Sequence, residues 1–271
     1  MVDPIRMIVV GLGRGKSHIR TITSLPEQFE LVGVVDLNNE ILNKVLEEFS
    51  LPESLGFASY DDALEQSSCD GVVIATWARS HEPLVEQALM ADKHVLAEKP
   101  FVLELEPAKR LLNLAESRGR KVVINQQWRY MPAQRTIRRL MRDKTYGEAQ
   151  IAHFNGYKAR GSEYPDSPYS QLWQMTVHEV DSIISMLNQP VVEVYGHAYK
   201  PPKTTWNRES TVTAEMTMRN GCRVILVSTS DSRTHGCEFR IECEKAAVVM
   251  RNTRCMGGEE TVFIGEDPSV G

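Results

Sequence analysis

Three glycines within five residues, Gly11, Gly13 and Gly15, follow the apolar run Ile8-Val9-Val10, and Asp36 closes the next such run, Leu31-Val32-Gly33-Val34-Val35. Glycines there let a backbone turn sharply and approach a pyrophosphate closely. A helix opening just afterwards offers the same anion its N–H groups and the positive end of its dipole. The chemistry this suits is dinucleotide binding, with Gly11, Leu12, Gly13, Arg14, Gly15 and Lys16 as the phosphate segment. The spacing departs from G-x-G-x-x-G. Gly15 comes one place early and Lys16 stands in the third slot, which predicts a phosphate loop one residue shorter. A tight turn with no ligand would use the same glycines. A carboxylate at Asp36 can accept both ribose hydroxyl hydrogens of adenosine and repels a 2′-phosphate. The next residues, Leu37-Asn38-Asn39-Glu40, supply no Arg or Lys to hold such a phosphate. NAD is therefore expected, with NADP less suited. Asp36 could instead cap a helix, a role open equally to Asn38 or Asn39.

The elements that position these residues follow from periodicity. Short β-branched runs predict strands over 5–10, 31–35, 71–75, 94–97 and 122–125. Amphipathic stretches between them predict helices over 15–24, 40–49, 60–66, 82–91 and 106–118. Strand and helix in alternation imply βαβ units and a parallel, doubly wound Rossmann sheet. The strands are apolar on both faces, as a sheet covered on both sides requires. After residue 125 the rhythm changes: a helix over 133–142, a strand over 148–156, a Gly/Pro/Ser/Tyr-rich loop over 157–170 and a helix over 172–187. Strands over 191–199, 210–218, 223–229, 237–243 and 246–250 follow, with Asn220-Gly221 as a hairpin signal. The expected fold is α/β in two domains: a Rossmann domain over 1–125 and an α/β domain with an open, mainly antiparallel sheet over 126–271. The final stretch, 257–271, has a weak pattern and is expected to be partly loose.

With 271 residues the chain is long enough for a sizeable core without disulfide or metal staples, and its net charge of −5 disfavours a nucleic-acid binder. Five cysteines with no C-x-x-C pair or zinc spacing point to reduced thiols, no metal site and a cytoplasmic protein. The run over 5–12 carries Arg6 and leads into glycines, so it reads as a first strand rather than a signal peptide. The apolar stretches, such as that over 71–78, are too short to cross a bilayer.

A more specific signal lies in Val72-Val73-Ile74-Ala75-Thr76, then His81, then Lys93-His94-Val95-Leu96-Ala97-Glu98-Lys99-Pro100. Together with Asn125-Gln126-Gln127-Trp128-Arg129-Tyr130 and His178-Glu179-Val180-Asp181, these strongly resemble the Gfo/Idh/MocA family, the relatives of glucose–fructose oxidoreductase and inositol dehydrogenase. The resemblance runs from about Ile5 to about Met250. It implies NAD-dependent hydride transfer to or from a secondary alcohol of a sugar, polyol or sugar derivative. In it Lys99 is the electrostatic partner of the developing alkoxide and His178 is the acid/base, chemistry suited to an ammonium and an imidazole. Gln174, His178 and Asp181 are spaced to share one helical face, so Asp181 is expected to orient the imidazole or bind substrate. The family's dehydrogenases commonly carry an acid where this chain has Gln174. That departure keeps open an NAD-assisted non-redox enzyme such as a glycosidase with transient oxidation; a catalytically inactive NAD-binding regulator is the reading from another class. The implied cofactor set extends to Ala75, Thr76, His81, Glu98, Lys99 and Gln126.

Substrate contacts are expected from Lys99, Arg129, Tyr130, Trp173 and His178, with Arg160 and Tyr164 as further pocket candidates. Asp181 or a loop acid, Glu163 or Asp166, could supply the missing acid, and the 157–170 loop could act as a lid. The open sheet leaves one face that needs a partner, which predicts a homodimer or homotetramer built through it.

Overall fold

The computed structural model describes residues 3–159, 172–254 and 258–266. The chain divides into two units, Met1–Asn125 and Gln126–Gly271.

In the first unit the strands are β1 (Ile5–Val10), β2 (Phe29–Val35), β3 (Gly56–Phe57), β4 (Gly71–Ile74), β5 (His94–Ala97) and β6 (Val122–Ile124). They form one sheet in the order β3-β2-β1-β4-β5-β6, every pair parallel. This is the strand order of a Rossmann fold. Between the strands run α1 (Leu12–Ser24), α2 (Asn39–Glu48), α3 (Tyr60–Gln66), α4 (His81–Met90) and α5 (Leu105–Ser117). The alternation of side chains along each strand explains the two layers. Met7 and Val9 of β1 join Val34, Val73 and α1's Leu12 and Ile19 in one core. Ile8 and Val10 join Val72, Ile74, Val95 and the α4–α5 residues Val85, Leu89 and Leu111 in the other. Strand β3, two residues long, is too short to leave a periodic trace in the sequence. Helix α1 starts at Leu12, three residues before the expected 15, because the turn is completed by Gly11 alone, at φ +88°.

The second unit begins with a 3-10 turn, Gln127–Tyr130, and α6 (Pro132–Arg142). Next come β7 (Ala149–Ala159), a π-helical turn (Leu172–Thr176) and α7 (Val177–Leu187). The chain then runs through β8 (Val191–Tyr199), β9 (Thr211–Met218), β10 (Arg223–Thr229), β11 (Asp231–Cys243), β12 (Ala246–Asn252) and β13 (Glu260–Glu266). The sheet order is β13-β12-β11-β7-β10-β9-β8, antiparallel throughout except for β7 beside β10. Helices α6 and α7 lie on one face, where Ile137, Met141, Ile183 and Met186 meet Phe154, Leu226, Phe239 and Ile241.

Within the final stretch, Glu260–Glu266 pairs along β12 from Ala246 to Asn252. On the opposite sheet face Tyr157, Tyr195, Tyr199, Ile225 and Phe263 are exposed, beside the ion pairs Arg223–Glu215, Arg240–Glu242 and Arg251–Glu238. The Asn220-Gly221 turn does join β9 to β10, with Gly221 at φ +90° and the Asn220 side chain accepting from the Cys222 N–H. No helix among the described residues is long and apolar enough to cross a membrane.

Candidate functional site

In the first unit, α1 leaves β1 towards one face of the sheet and α4 serves the other. Neighbouring strands β1 and β4 therefore mark the switch point, where open α/β sheets bind ligands at the carboxyl ends of their strands. Gly11 sits there against the β4 end. A Cβ on it would lie 2.7 Å from Thr76 Cγ2 and 2.9 Å from the Ala75 carbonyl, so no larger residue fits. Gly15 divides the work differently from the usual fingerprint. Its added Cβ would come within 2.8 Å of Val9 Cγ1, so this glycine, although one place early, lets α1 lie close on β1. Gly13 has nothing within 4 Å of its Cβ position, which leaves the first turn of α1, with its N–H groups unsatisfied by the helix itself, open to an anion. The Lys16 ammonium is committed to Glu48 of α2.

Asp36 does not cap α2. Asn38 does, accepting from the Glu40 and Ile41 N–H groups. The Asp36 carboxylate accepts from the Leu12 N–H (2.9 Å) and the Asn38 N–H (2.9 Å), tying the phosphate turn to the end of β2. An ionised carboxylate has further acceptor positions, and these suit ribose hydroxyls.

Glu98, at the end of β5, is buried. Its Oε1 accepts from His18 Nε2 (3.0 Å), Asn125 Nδ2 (2.8 Å) and Arg14 Nε (3.4 Å), and its Oε2 from the Lys99 N–H (3.3 Å). Burial pushes this carboxyl up, but the bonds from His18 and Asn125 and the charge of Arg14 outweigh it and hold it at about 2. Lys99, half-buried, follows directly, and the Lys99–Pro100 peptide is cis. His81, expected at the cofactor, lies elsewhere. It is fully buried, with Nδ1 on the Pro100 and Phe101 carbonyls and Nε2 on the Thr76 carbonyl. It pins the Thr76 and Pro100 loops to each other and has no surface for a ligand.

In the second unit, His178 stands in the first turn of α7 and is 3% exposed. Its Nδ1 meets Gln126 Oε1 at 2.7 Å, and its ring stacks on Trp128 with centroids 4.8 Å apart and an 11° interplanar angle. An amide oxygen only accepts. The imidazole proton is thus held on Nδ1, and Nε2 becomes the basic nitrogen. Gln126, expected at the cofactor, is the residue that fixes the tautomer. Asp181, expected to orient the imidazole or bind substrate, holds Arg129 through two bonds, one from Nε at 3.0 Å and one from Nη2. The bond raises the guanidinium further above its ordinary value, against burial. Gln174 lies in the π-helical turn, so the α-helical spacing that placed it on the His178 face does not apply. Trp173 is 45% and Tyr130 67% exposed. Arg160, Glu163, Tyr164, Asp166 and most of the 157–170 loop fall outside the described residues; within it, 157–159 complete β7.

Sequence reasoning gave no role to His18, Asn125, Trp128, Lys158 or Glu179. Lys158 did carry a signal. It shares a face of β7 with Ala152, Phe154 and Gly156, and a lysine on the core face of a strand demands a buried partner. Among the described residues no cluster of His, Cys, Asp and Glu could hold a metal ion.

The chain is 24% identical over 225 residues to inositol 2-dehydrogenase of Salmonella typhimurium, covering 82% of this chain and 63% of that protein. It is 25% identical over 198 residues to an uncharacterized oxidoreductase of Schizosaccharomyces pombe, covering 70% and 54%. It thus spans less than two thirds of the length of these curated relatives. Among solved structures it resembles the WlbA dehydrogenase of Bordetella pertussis in complex with NADH and UDP-GlcNAcA, at 23% identity and TM-score 0.86, covering 98% of this chain and 84% of that one. It also resembles an inositol dehydrogenase homolog of Azotobacter vinelandii complexed with NADH and myo-inositol, at 20% identity and TM-score 0.81, covering 97% and 76%. The family model described as an oxidoreductase family with an NAD-binding Rossmann fold matches residues 5–126, and the Gfo/Idh/MocA C-terminal domain model matches 134–249. The chain belongs to the Gfo/Idh/MocA oxidoreductase family, and its first unit is that family's NAD-binding Rossmann fold.

Proposed function

We propose that this chain is an NAD-dependent dehydrogenase or reductase acting on a secondary alcohol of a sugar, polyol or sugar derivative. The observation that carries the reading is the His178–Gln126 bond, which keeps a proton on Nδ1 and supports Nε2 as the nitrogen that exchanges one, in a family of NAD-binding oxidoreductases. Nicotinamide, when bound, supplies the hydride acceptor or donor. In the proposed roles His178 takes the hydroxyl proton during oxidation and returns it during reduction. Lys99 steadies the negative charge that develops on the oxygen. Arg129, held by Asp181, and the exposed Tyr130 and Trp173 are proposed to contact the substrate.

The polyols and nucleotide sugars named for its relatives define the first substrate panel: myo-inositol and UDP-GlcNAcA, with NAD and absorbance of the reduced nicotinamide as readout. On the substrate that turns over, His178→Asn and Lys99→Met are each expected to lower kcat/KM by about 10²-fold or more. Alcohol oxidation should fall as pH drops through the imidazole range near about 6.5, because only the neutral ring is a base. Unchanged kcat/KM in both variants would sink the assignment.

Asp36 is proposed to select NAD. NADH should bind about tenfold or more tightly than NADPH, a difference of about 1.4 kcal/mol or more, and Asp36→Ser should narrow that ratio. Equal binding of the two by the unaltered protein would contradict this.

The ion-paired open face of the second sheet is the proposed contact between copies of the chain. The reduced thiols of Cys69 and Cys222, the latter pushed up to about 11 by burial, suit a reducing compartment such as the cytoplasm. Light scattering should give a dimer or tetramer at micromolar concentration; a monomer there would rule out that contact.

A further inference from the structure

Behind the His178 ring lies a buried ion pair that the proposed chemistry does not use. Glu179, the next residue on α7, is fully buried, and Lys158 of β7 is 4% exposed. Glu179 Oε1 accepts from the Lys158 ammonium and from Ser228 Oγ (3.1 Å), and Ser228 in turn accepts from Thr176 Oγ1 (3.2 Å). The carboxylate rests on Gly156, where an added Cβ would lie 3.0 Å from Oε1. Burying two charges is costly, and a hydrophobic pair of the same size usually serves stability as well or better. Stability alone therefore does not account for the pair. What distinguishes it is its place: the Lys158 ammonium stands 5.8 Å from the centroid of the Trp128 ring, and that ring stacks on His178.

We propose that Lys158 and Glu179 are positioning residues: the Lys158 cation beside the Trp128 ring holds the indole against His178, and Glu179 cancels that cation's field at the imidazole, so that the basicity of His178 depends on the two charges staying balanced. The pair holds the indole in the plane against which the imidazole stacks, and its two charges act on the ring with opposite signs. The Lys158 cation disfavours the imidazolium and the Glu179 anion favours it. At separations of roughly 10 Å or less and an effective dielectric near about 20, each charge is worth on the order of one pKa unit at the ring. Of the other charged groups on the elements around His178, Asp181 of α7 and Arg129 of the preceding 3-10 turn are satisfied by each other, and Arg135, Arg138, Arg139 and Arg142 of α6 and His153 of β7 are exposed to solvent. The π-helical turn contributes no charge, and neither does the stretch of β10 around Ser228.

The inference rests on the reading of His178 as the acid/base, but it is tested without turnover. The imidazole of His178 is titrated by NMR in histidine-labelled full-length protein, its signal identified by its loss in His178→Asn. Glu179→Gln, which keeps the shape and removes the anion, should lower the His178 pKa by about 1. Lys158→Met/Glu179→Gln, which removes both charges, should return it to within about 0.3 of the original value, and the low-pH limb of kcat/KM should move in step. Should Glu179→Gln not fold, Glu179→Asp, which draws the charge back from Lys158, should give a smaller shift of the same sign. A His178 pKa unmoved in the single variant, or shifted further in the double than in the single, would overturn the proposal. A failed hydride-transfer assay with these shifts intact would count against the proposed function instead.

Discussion

In the first unit one buried carboxylate gathers three elements at the nucleotide end of the sheet. Glu98 leaves β5, takes hydrogen bonds from Arg14 and His18 of α1, and takes another from Asn125 beyond β6. Its second oxygen receives the N–H of Lys99. The helix that follows the glycine turn and the segment that carries Lys99 are thus fixed by a common anchor. A carboxyl held at about 2 against an ordinary 4.5 contributes on the order of 3 kcal/mol at neutral pH. That contribution is fully present above about pH 4.5 and disappears as the pH falls towards 2, because protonation removes the negative charge that strengthens the bonds from His18 and Asn125 and attracts Arg14.

The second unit solves the same problem with stacking and an amide. Gln126 holds one nitrogen of His178, Trp128 holds the face of its ring, and Asp181 holds Arg129 instead of the imidazole. A neutral amide at Gln126 orients the ring and keeps a proton on its Nδ1. The cost is a weaker hold on the imidazolium once the proton has been taken.

Much of this was legible in the sequence. Strand and helix periodicity located every strand of the first unit except β3, and the E-K-P run led to the family. Asp36 was separable from a capping residue only in three dimensions, where Asn38 proved to be the cap. Other features left no trace. The partners of Glu98 lie 80 and 27 residues away in the chain, with no spacing rule to connect them. The α-helical reading of 172–187 differs from the structure at its first turn, which is π-helical, because the two turn types have the same composition. His81 was assigned to the cofactor by motif, although both its nitrogens face backbone carbonyls. Strand β13 escaped because its apolar residues, Val262, Phe263 and Ile264, run consecutively rather than alternating.

The most direct test of the Glu98 anchor, and of the nucleotide site that depends on it, is a titration of the protein with NADH, followed by energy transfer from tryptophan to the reduced nicotinamide. The unaltered protein is predicted to bind. Glu98→Gln, which keeps the side chain's shape but cannot accept three donors as a carboxylate does, is predicted to bind about tenfold more weakly while remaining folded. Failure of the unaltered protein to bind NADH, or unchanged affinity in Glu98→Gln, would contradict the account.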